Sequence, residues 1–211
     1  MKNLGIFGGT FNPPHKSHLR IAKCFIQQLN LDKCFFVPSF VSPFKSSENS
    51  GSPIDKKHIL NMLELLLKNT QKIEISKYEI EKEGISYSIE TVKHFKKLYP
   101  KSNLFLLIGL DNLKKFDKWK DYKEILAAAK LAVAPRIFED NDFNFLFEKE
   151  SKSTALEKHC YNGIEFYLLQ SEAKEYSSSD VRKLISEGKA VSDYLIEEVE
   201  DYIYKNKLYL A

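Results

Sequence analysis

The sequence predicts an α/β fold: one open, doubly wound and mostly parallel sheet with helices on both faces. Two observations carry that expectation. Short runs of unbroken apolar residues, such as 34–37 (CFFV) and 104–108 (LFLLI), read as strands covered on both sides. Between them lie segments whose apolar residues recur every three or four positions, the spacing of one helix face. Strands and helices that alternate in this way close most simply through right-handed crossovers into a parallel sheet.

Taken in order, residues 4–7 read as the first strand and 17–29 as an amphipathic helix burying Leu19, Ala22, Ile26 and Leu29. Residues 34–37 form the second strand, closed by Pro38. Residues 39–53, rich in Ser and Pro, read as a long loop. A helix over 55–69 buries Ile59, Leu63, Leu66 and Leu67, and residues 73–75 alternate as a short strand. A helix over 86–99 buries Ile89, Val92 and Phe95 and stops at Pro100. Residues 104–108 are the most apolar strand and end at Gly109. A helix carrying Tyr122, Ile125, Leu126 and Ala129 leads into a strand over 131–134. From 137 to 162 no period holds, and the stretch reads as an irregular or partly helical excursion. The pattern resumes with a strand over 164–169 and a helix over 178–187, with Gly188 just past its end. A last helix over 193–206 buries Leu195, Val199, Tyr202 and Ile203. The whole, residues 1–211, reads as a single domain with a helical part at 178–211.

Composition narrows the function. Hydrophobic residues make up 43% of the chain and charged ones 29%, as in ordinary globular domains. The net charge of +3 is too balanced to argue for nucleic acid or an anionic membrane. Only Arg20, Arg136 and Arg182 are arginines, and base readout leans on arginine. Cys24, Cys34 and Cys160 form no C-x-x-C pair and fit a reducing compartment. No leader pattern and no apolar run near ~20 residues is present, so a cytoplasmic location is expected. Monomer and homodimer are both open.

In such a sheet, ligands bind beyond the carboxyl ends of the strands, where the strand order reverses. The first strand exits through residues 8–18 (GGTFNPPHKSH). Glycines running into a helix N-terminus let backbone N–H groups approach an anion, and the helix dipole favours negative charge there. His15 and His18 add two ring donors to the same first turn, and Ser17 is a good helix N-cap. The spacing matches neither a dinucleotide fingerprint nor a P-loop, and the histidines lack the i,i+4 spacing of a zinc helix. A tight turn with two surface histidines is the plainer alternative.

Two other exits are polar. Residues 176–182 (YSSSDVR) place Ser178 and Ser179 at a helix start with Arg182 one turn in, a set able to grip an anion or simply to cap a helix. Residues 109–119 (GLDNLKKFDKW) offer Gly109 for close approach of a nucleoside and Asp111 for a ribose. The single Trp119 gives a flat ring for a heteroaromatic base, or for packing.

GGTFNPPHKSH resembles the G-G-T/S-F-D-P-x-H-x-G-H signature of the nucleotidyltransferase superfamily, with Asn12 at its Asp and Ser17 at its third Gly. YSSSDVR resembles the I-S-S-T/S-x-V/I-R motif that closes the adenylyltransferases of that superfamily. LIGLDNLKKFDKW is similar to L-I-G-A-D-x-L-x-x-F-x-x-W of the nicotinate-mononucleotide adenylyltransferases. VPSFVSPFK, which ends at Lys45, and GISYSIET, which contains Ser88, resemble two further stretches of that family. The terminal Leu208-Tyr209 is also similar to the family's end. The resemblance implies a Rossmann-like fold and transfer of the adenylyl group of ATP to nicotinate mononucleotide, giving deamido-NAD and pyrophosphate.

It further implies roles. His15, His18, Lys45 and Arg182 are the expected catalytic set. Gly8, Gly9, Thr10, Phe11, Gly109, Asp111, Ser178 and Ser179 join His15, His18 and Arg182 around ATP. Thr10, Lys45, Ser88, Trp119 and Arg136 are expected at nicotinate mononucleotide. No protein metal site is expected; Mg²⁺ arrives mainly on ATP. A sister enzyme acting on pantetheine phosphate, a non-catalytic nucleotide sensor, and an interaction protein using residues 137–162 are the alternatives.

Overall fold

The computed structural model describes residues 1–43, 54–135, 157–170 and 176–210. In chain order the elements are β1 (Asn3–Gly9), α1 (Lys16–Gln28), β2 (Lys33–Pro38), α2 (Lys56–Leu67), β3 (Ile73–Ile75), α3 (Tyr78–Lys82) and α4 (Ser88–Leu98). They continue with β4 (Asn103–Gly109), α5 (Leu110–Leu113), a 3-10 turn (Phe116–Lys118), α6 (Tyr122–Ala128) and β5 (Lys130–Ala134). The last are β6 (Lys158–Tyr161), β7 (Ile164–Leu168), α7 (Ser178–Ser186) and α8 (Glu197–Lys205).

The strands form one sheet in the order β3-β2-β1-β4-β5-β7-β6. All neighbours are parallel except β6, which runs antiparallel on β7 at the edge. This is the doubly wound sheet that the alternation predicts. The unbroken apolar strands serve two cores at once. Cys34 and Phe36 of β2 face one layer with Phe25 of α1, Leu63 of α2, Ile185 of α7 and Ile203 of α8. Phe35 and Val37 face the other, with Phe95 of α4 and Ile125 of α6. The period of two in a strand divides its side chains in this way. Each fully buried side chain of this size contributes roughly 1.5–3 kcal/mol relative to exposure.

One glycine is there for packing. A Cβ on Gly5 would lie 2.5 Å from Phe25 Cε1 and 2.7 Å from Leu31 Cδ1, so α1 settles on β1 only over a residue without a side chain. The end of α7 bears out the expected stop. Gly188 has φ +66°, its N–H donates to Ile185 O, and the Lys189 N–H donates to Leu184 O.

Two expectations are corrected. Residues 158–161, assigned to the irregular excursion, are strand β6; a four-residue edge strand with only half-buried and exposed positions leaves no readable alternation. Residues 137–156 of that excursion lie outside the described residues, as do 44–53 of the long loop. The last helix begins at Glu197, not at 193. The Tyr194 carbonyl is turned aside to accept from the Lys16 N–H (2.9 Å) and the Tyr176 hydroxyl (3.1 Å), which takes it out of a helical ladder.

The strand order reverses between β1 and β4, which pair with Phe7 opposite Leu107. β2 and β3 spread to one side and β5 and β7 to the other. The carboxyl ends at Gly9 and Gly109 therefore stand side by side at the switch point, where crevices of such sheets form.

Candidate functional site

The loop after β1 turns sharply. Phe11 takes a left-handed φ of +46°, and the Asn12–Pro13 peptide is cis. The Phe11 side chain is 1% exposed and packs edge-on to Phe7 (5.4 Å between ring centroids) and stacks on Phe36 (5.1 Å). It also meets the His18 ring edge-on at 5.0 Å. Phe11 is thus a core residue propping His18, and only its backbone is left for a ligand. Gly8, by contrast, has nothing within 4 Å of where a Cβ would stand.

The two histidines lie together as the spacing predicts. Their rings stack at 3.6 Å, and the His15 N–H donates to His18 Nδ1 (3.2 Å). An Nδ1 that accepts fixes the neutral His18 ring with its proton on Nε2. His15 is 3% exposed, lying 4.9 Å from the Tyr176 ring, so His18 is the more open of the pair. Ser17 is not the cap. His15 holds that position, and Ser17 is a buried second residue of the helix whose Oγ finds no hydrogen bond among the described residues. The side chain that replaces the motif's glycine is packed inward.

The serine and arginine motif comes to the same loop. Ser177 caps α7 in a capping box with Asp180, which frees its neighbours for other partners. The Ser178 hydroxyl donates to Pro13 O (2.9 Å). Arg182 donates from Nη1 to Asn12 O (2.6 Å) and from Nη2 to Ser179 Oγ (3.1 Å). Asn12 has a second tie through its side chain, whose Oδ1 accepts from the Tyr209 hydroxyl. His15, His18, Ser178, Ser179 and Arg182 therefore form one neighbourhood beyond β1, around the loop that begins at Thr10.

Three aromatic residues in it were not singled out as site residues. Tyr176 lies over His15, Tyr194 meets Tyr176 edge-on at 4.5 Å, and Tyr209 reaches Asn12. Tyr176 and Tyr209 were visible as parts of motifs, but nothing local in the sequence says which loop they touch.

The β4 exit is built differently. The Asp111 carboxylate lies over Gly109, where Oδ1 would be 2.4 Å from an added Cβ. Trp119 is half-buried, 5.0 Å from the Phe116 ring and packed against the second core, so one of its faces has a structural task. Ser88 opens α4 after Tyr87, which caps it without a side-chain bond. Lys120 joins the two stretches: its ammonium lies 4.4 Å from the Tyr87 ring centroid and 3.7 Å from Glu90. Ser86 fastens the loop before α4 to residues 40–41, its N–H donating to Val41 O and its Oγ accepting from the Phe40 N–H (2.8 and 2.9 Å). Lys45 and Arg136 lie outside the described residues.

Beside Ser86 and Thr91 sits a buried acid. Glu79 accepts a hydrogen bond from Thr91 Oγ1, and burial raises its pKa; the bonds from Thr91 and Ser86 and the charge of Lys82 pull it back, and Glu90 adds to the rise. A carboxyl with a raised folded pKa contributes stability at low pH that is lost as pH climbs through that pKa. Glu79→Gln is therefore expected to raise the melting temperature at pH 8, with the gain disappearing near pH 4. Thermal unfolding at both pH values checks this. An equal shift at each would show that the carboxyl is not titrating.

Among the described residues no group of three His, Cys, Asp or Glu could hold a metal ion. The donors gathered beyond β1 are imidazole, hydroxyl, guanidinium and backbone N–H, a set suited to an anion. No helix among the described residues is long and apolar enough to cross a membrane.

The chain matches the cytidylyltransferase-like family over residues 6–184. It is 39% identical over 210 residues to the "Probable nicotinate-nucleotide adenylyltransferase" of Clostridium acetobutylicum, covering 100% of both chains. It is 35% identical to the protein of the same name from Leptospira interrogans, covering 97% of this chain and 96% of the other. Its fold is shared by the Plasmodium falciparum nicotinic acid mononucleotide adenylyltransferase solved with NaAD (TM-score 0.73, 21% identity, 99% and 98% of the chains). With full-length relatives of that name, the same fold and its two motifs bonded into one loop, the chain belongs to the cytidylyltransferase-like family as one of its nicotinate-nucleotide adenylyltransferases.

Proposed function

We propose that the protein transfers the adenylyl group of ATP to nicotinate mononucleotide, giving deamido-NAD and pyrophosphate. The observation that carries this is the pair of bonds from Ser178 to Pro13 and from Arg182 to Asn12, which bring the two phosphate-type motifs to one place beyond β1. A phosphate oxygen of the mononucleotide attacks the ATP α-phosphorus in line. The new P–O bond forms as the bond from the α-phosphorus to the bridging oxygen breaks, and pyrophosphate leaves with that electron pair. The nucleophile is already an anion, so neither a protein nucleophile nor a strong base is required. Catalysis is positioning and stabilisation of charge.

In this reading, the Nε2–H of His18 donates to the α-phosphoryl oxygens, with Thr10 and the backbone of Gly8 and Gly9 beside it. His15, buried under Tyr176, orients His18. Arg182, held by Ser179, faces the departing phosphates, and Ser178 secures the loop. Gly109 and Asp111 meet the nucleoside. Ser88 and the outer face of Trp119 meet the nicotinate ring, and Lys45 and Arg136 take the roles that the resemblance gives them. The cationic and neutral donor set fits a triphosphate that brings its own Mg²⁺, which when bound offsets phosphate charge. The test is pyrophosphate release with ATP and Mg²⁺, comparing nicotinate with nicotinamide mononucleotide. Strong turnover with the acid and little with the amide is expected. Comparable turnover would overturn the specificity, and silence with both would overturn the reaction.

A further inference from the structure

We infer that Tyr209 is a positioning residue for the triphosphate end of the site, acting through Asn12 on Arg182. The inference rests on the proposed function only in assigning the triphosphate to Arg182; the hydrogen bonds themselves do not depend on it.

Asn12 is held from two sides. Its side-chain oxygen accepts from the Tyr209 hydroxyl, and its backbone carbonyl accepts from Arg182 Nη1 at 2.6 Å. One residue therefore couples a phenol and a guanidinium that belong to different elements. Both strands of the coupling leave backbone in an unfavourable conformation. Phe11, next to Asn12, has φ +46°, and Lys207 and Tyr209 have φ +51° and +63°. Bulky residues persist in the left-handed region only where their surroundings hold them there. Tyr209 is held by packing of Leu208 and its own ring on the first core, and by the bond to Asn12. Burial raises the phenol's pKa while the charge of Arg182 opposes the rise, so the hydroxyl keeps its proton and donates at any working pH.

The consequence concerns Arg182. Its Nη2 is fixed by Ser179, one turn away on its own helix, whereas Nη1 is fixed by the Asn12 carbonyl on the opposite loop. If Asn12 turns, the guanidinium loses its second fixed point. An arginine fixed at two points presents its remaining donors in one direction, which lowers the ordering cost of binding a phosphate. Asn12 stands where the resembled signature has Asp. A neutral amide there accepts the phenol's hydrogen bond without placing a negative charge beside the guanidinium that must meet phosphate.

The test is Tyr209→Phe, which removes one oxygen and keeps the ring. ATP binding by calorimetry, without the second substrate, is expected to weaken at least fivefold. In turnover, the KM for ATP should rise by a similar factor while the KM for nicotinate mononucleotide stays within twofold. In the double variant with Arg182→Ala, Tyr209→Phe should add almost nothing, because its effect runs through that residue. Unchanged ATP affinity in Tyr209→Phe, or losses that multiply in the double variant, would overturn the inference. If Tyr209→Phe is unfolded at assay temperature, Asn12→Ala removes the same bond from the loop side. It should show the same loss of ATP affinity, and a wild-type affinity would overturn the inference. Because calorimetry reads ATP alone, a chain that binds ATP but ignores nicotinate mononucleotide would sink the proposed reaction while leaving this inference intact.

Discussion

Replacing His18 by Ala is expected to lower kcat by a factor of ~100 or more, the effect of losing one donor aimed at charge that develops in the transition state. The local structure suits the ring to this proposed task. A backbone N–H from His15 occupies Nδ1, which places the proton on Nε2. Phe11 and the stacked ring of His15 prevent it from rotating away. A pre-oriented neutral donor pays little reorganisation at the moment of reaction. Steady-state pyrophosphate release checks the prediction, with the KM for both substrates expected to change far less than kcat. A kcat within a few fold of the parent would remove His18 from the mechanism. Thermal melting of the variant separates loss of chemistry from loss of the ring's packing.

Arg182→Ala is expected to lower kcat/KM for ATP by about 10–100-fold, the scale of one charge-assisted hydrogen-bonding group lost from a phosphate site. The KM for nicotinate mononucleotide should hardly move. Arg182→Lys should recover only part of the loss. The guanidinium spans two partners on different elements, Asn12 O and Ser179 Oγ, from two separate nitrogens. An ammonium is a single point on a flexible stem and cannot hold both at those positions. Varying ATP at saturating mononucleotide gives the number. Full recovery by Lys would mean that charge alone matters there and that the forked geometry is incidental.

Much of the architecture was legible because the strands advertise their environment. Residues such as 34–37 and 104–108 are apolar without alternation, which only a strand covered on both faces requires, and both lie in the sheet between two cores. β6 was not legible, since Lys158–Tyr161 is short, at the edge, and mostly open to solvent. The start of α8 was not legible either, because Tyr194 is drawn out of the helical ladder by Lys16 and Tyr176, partners far away in sequence. The same limit applies at the site. His15 and His18 could be placed on one turn from their spacing. That Phe11 would serve the core, that Ser17 would point inward, and that Tyr209 would close on Asn12 depend on tertiary packing, which no local pattern encodes.

The bonds that assemble the site join residues 165, 170 and 197 positions apart. The stacked histidines are local, but their neighbours Ser178, Arg182 and Tyr209 come from the far end of the chain. Contacts of such long sequence separation form late, after the entropy of closing the intervening chain has been overcome. During synthesis the first loop is made with none of its partners yet in existence, so a growing chain carries the nucleotide signature but not the nucleotide site. The complete site therefore requires the residues from 176 onward to be made and docked against the first loop.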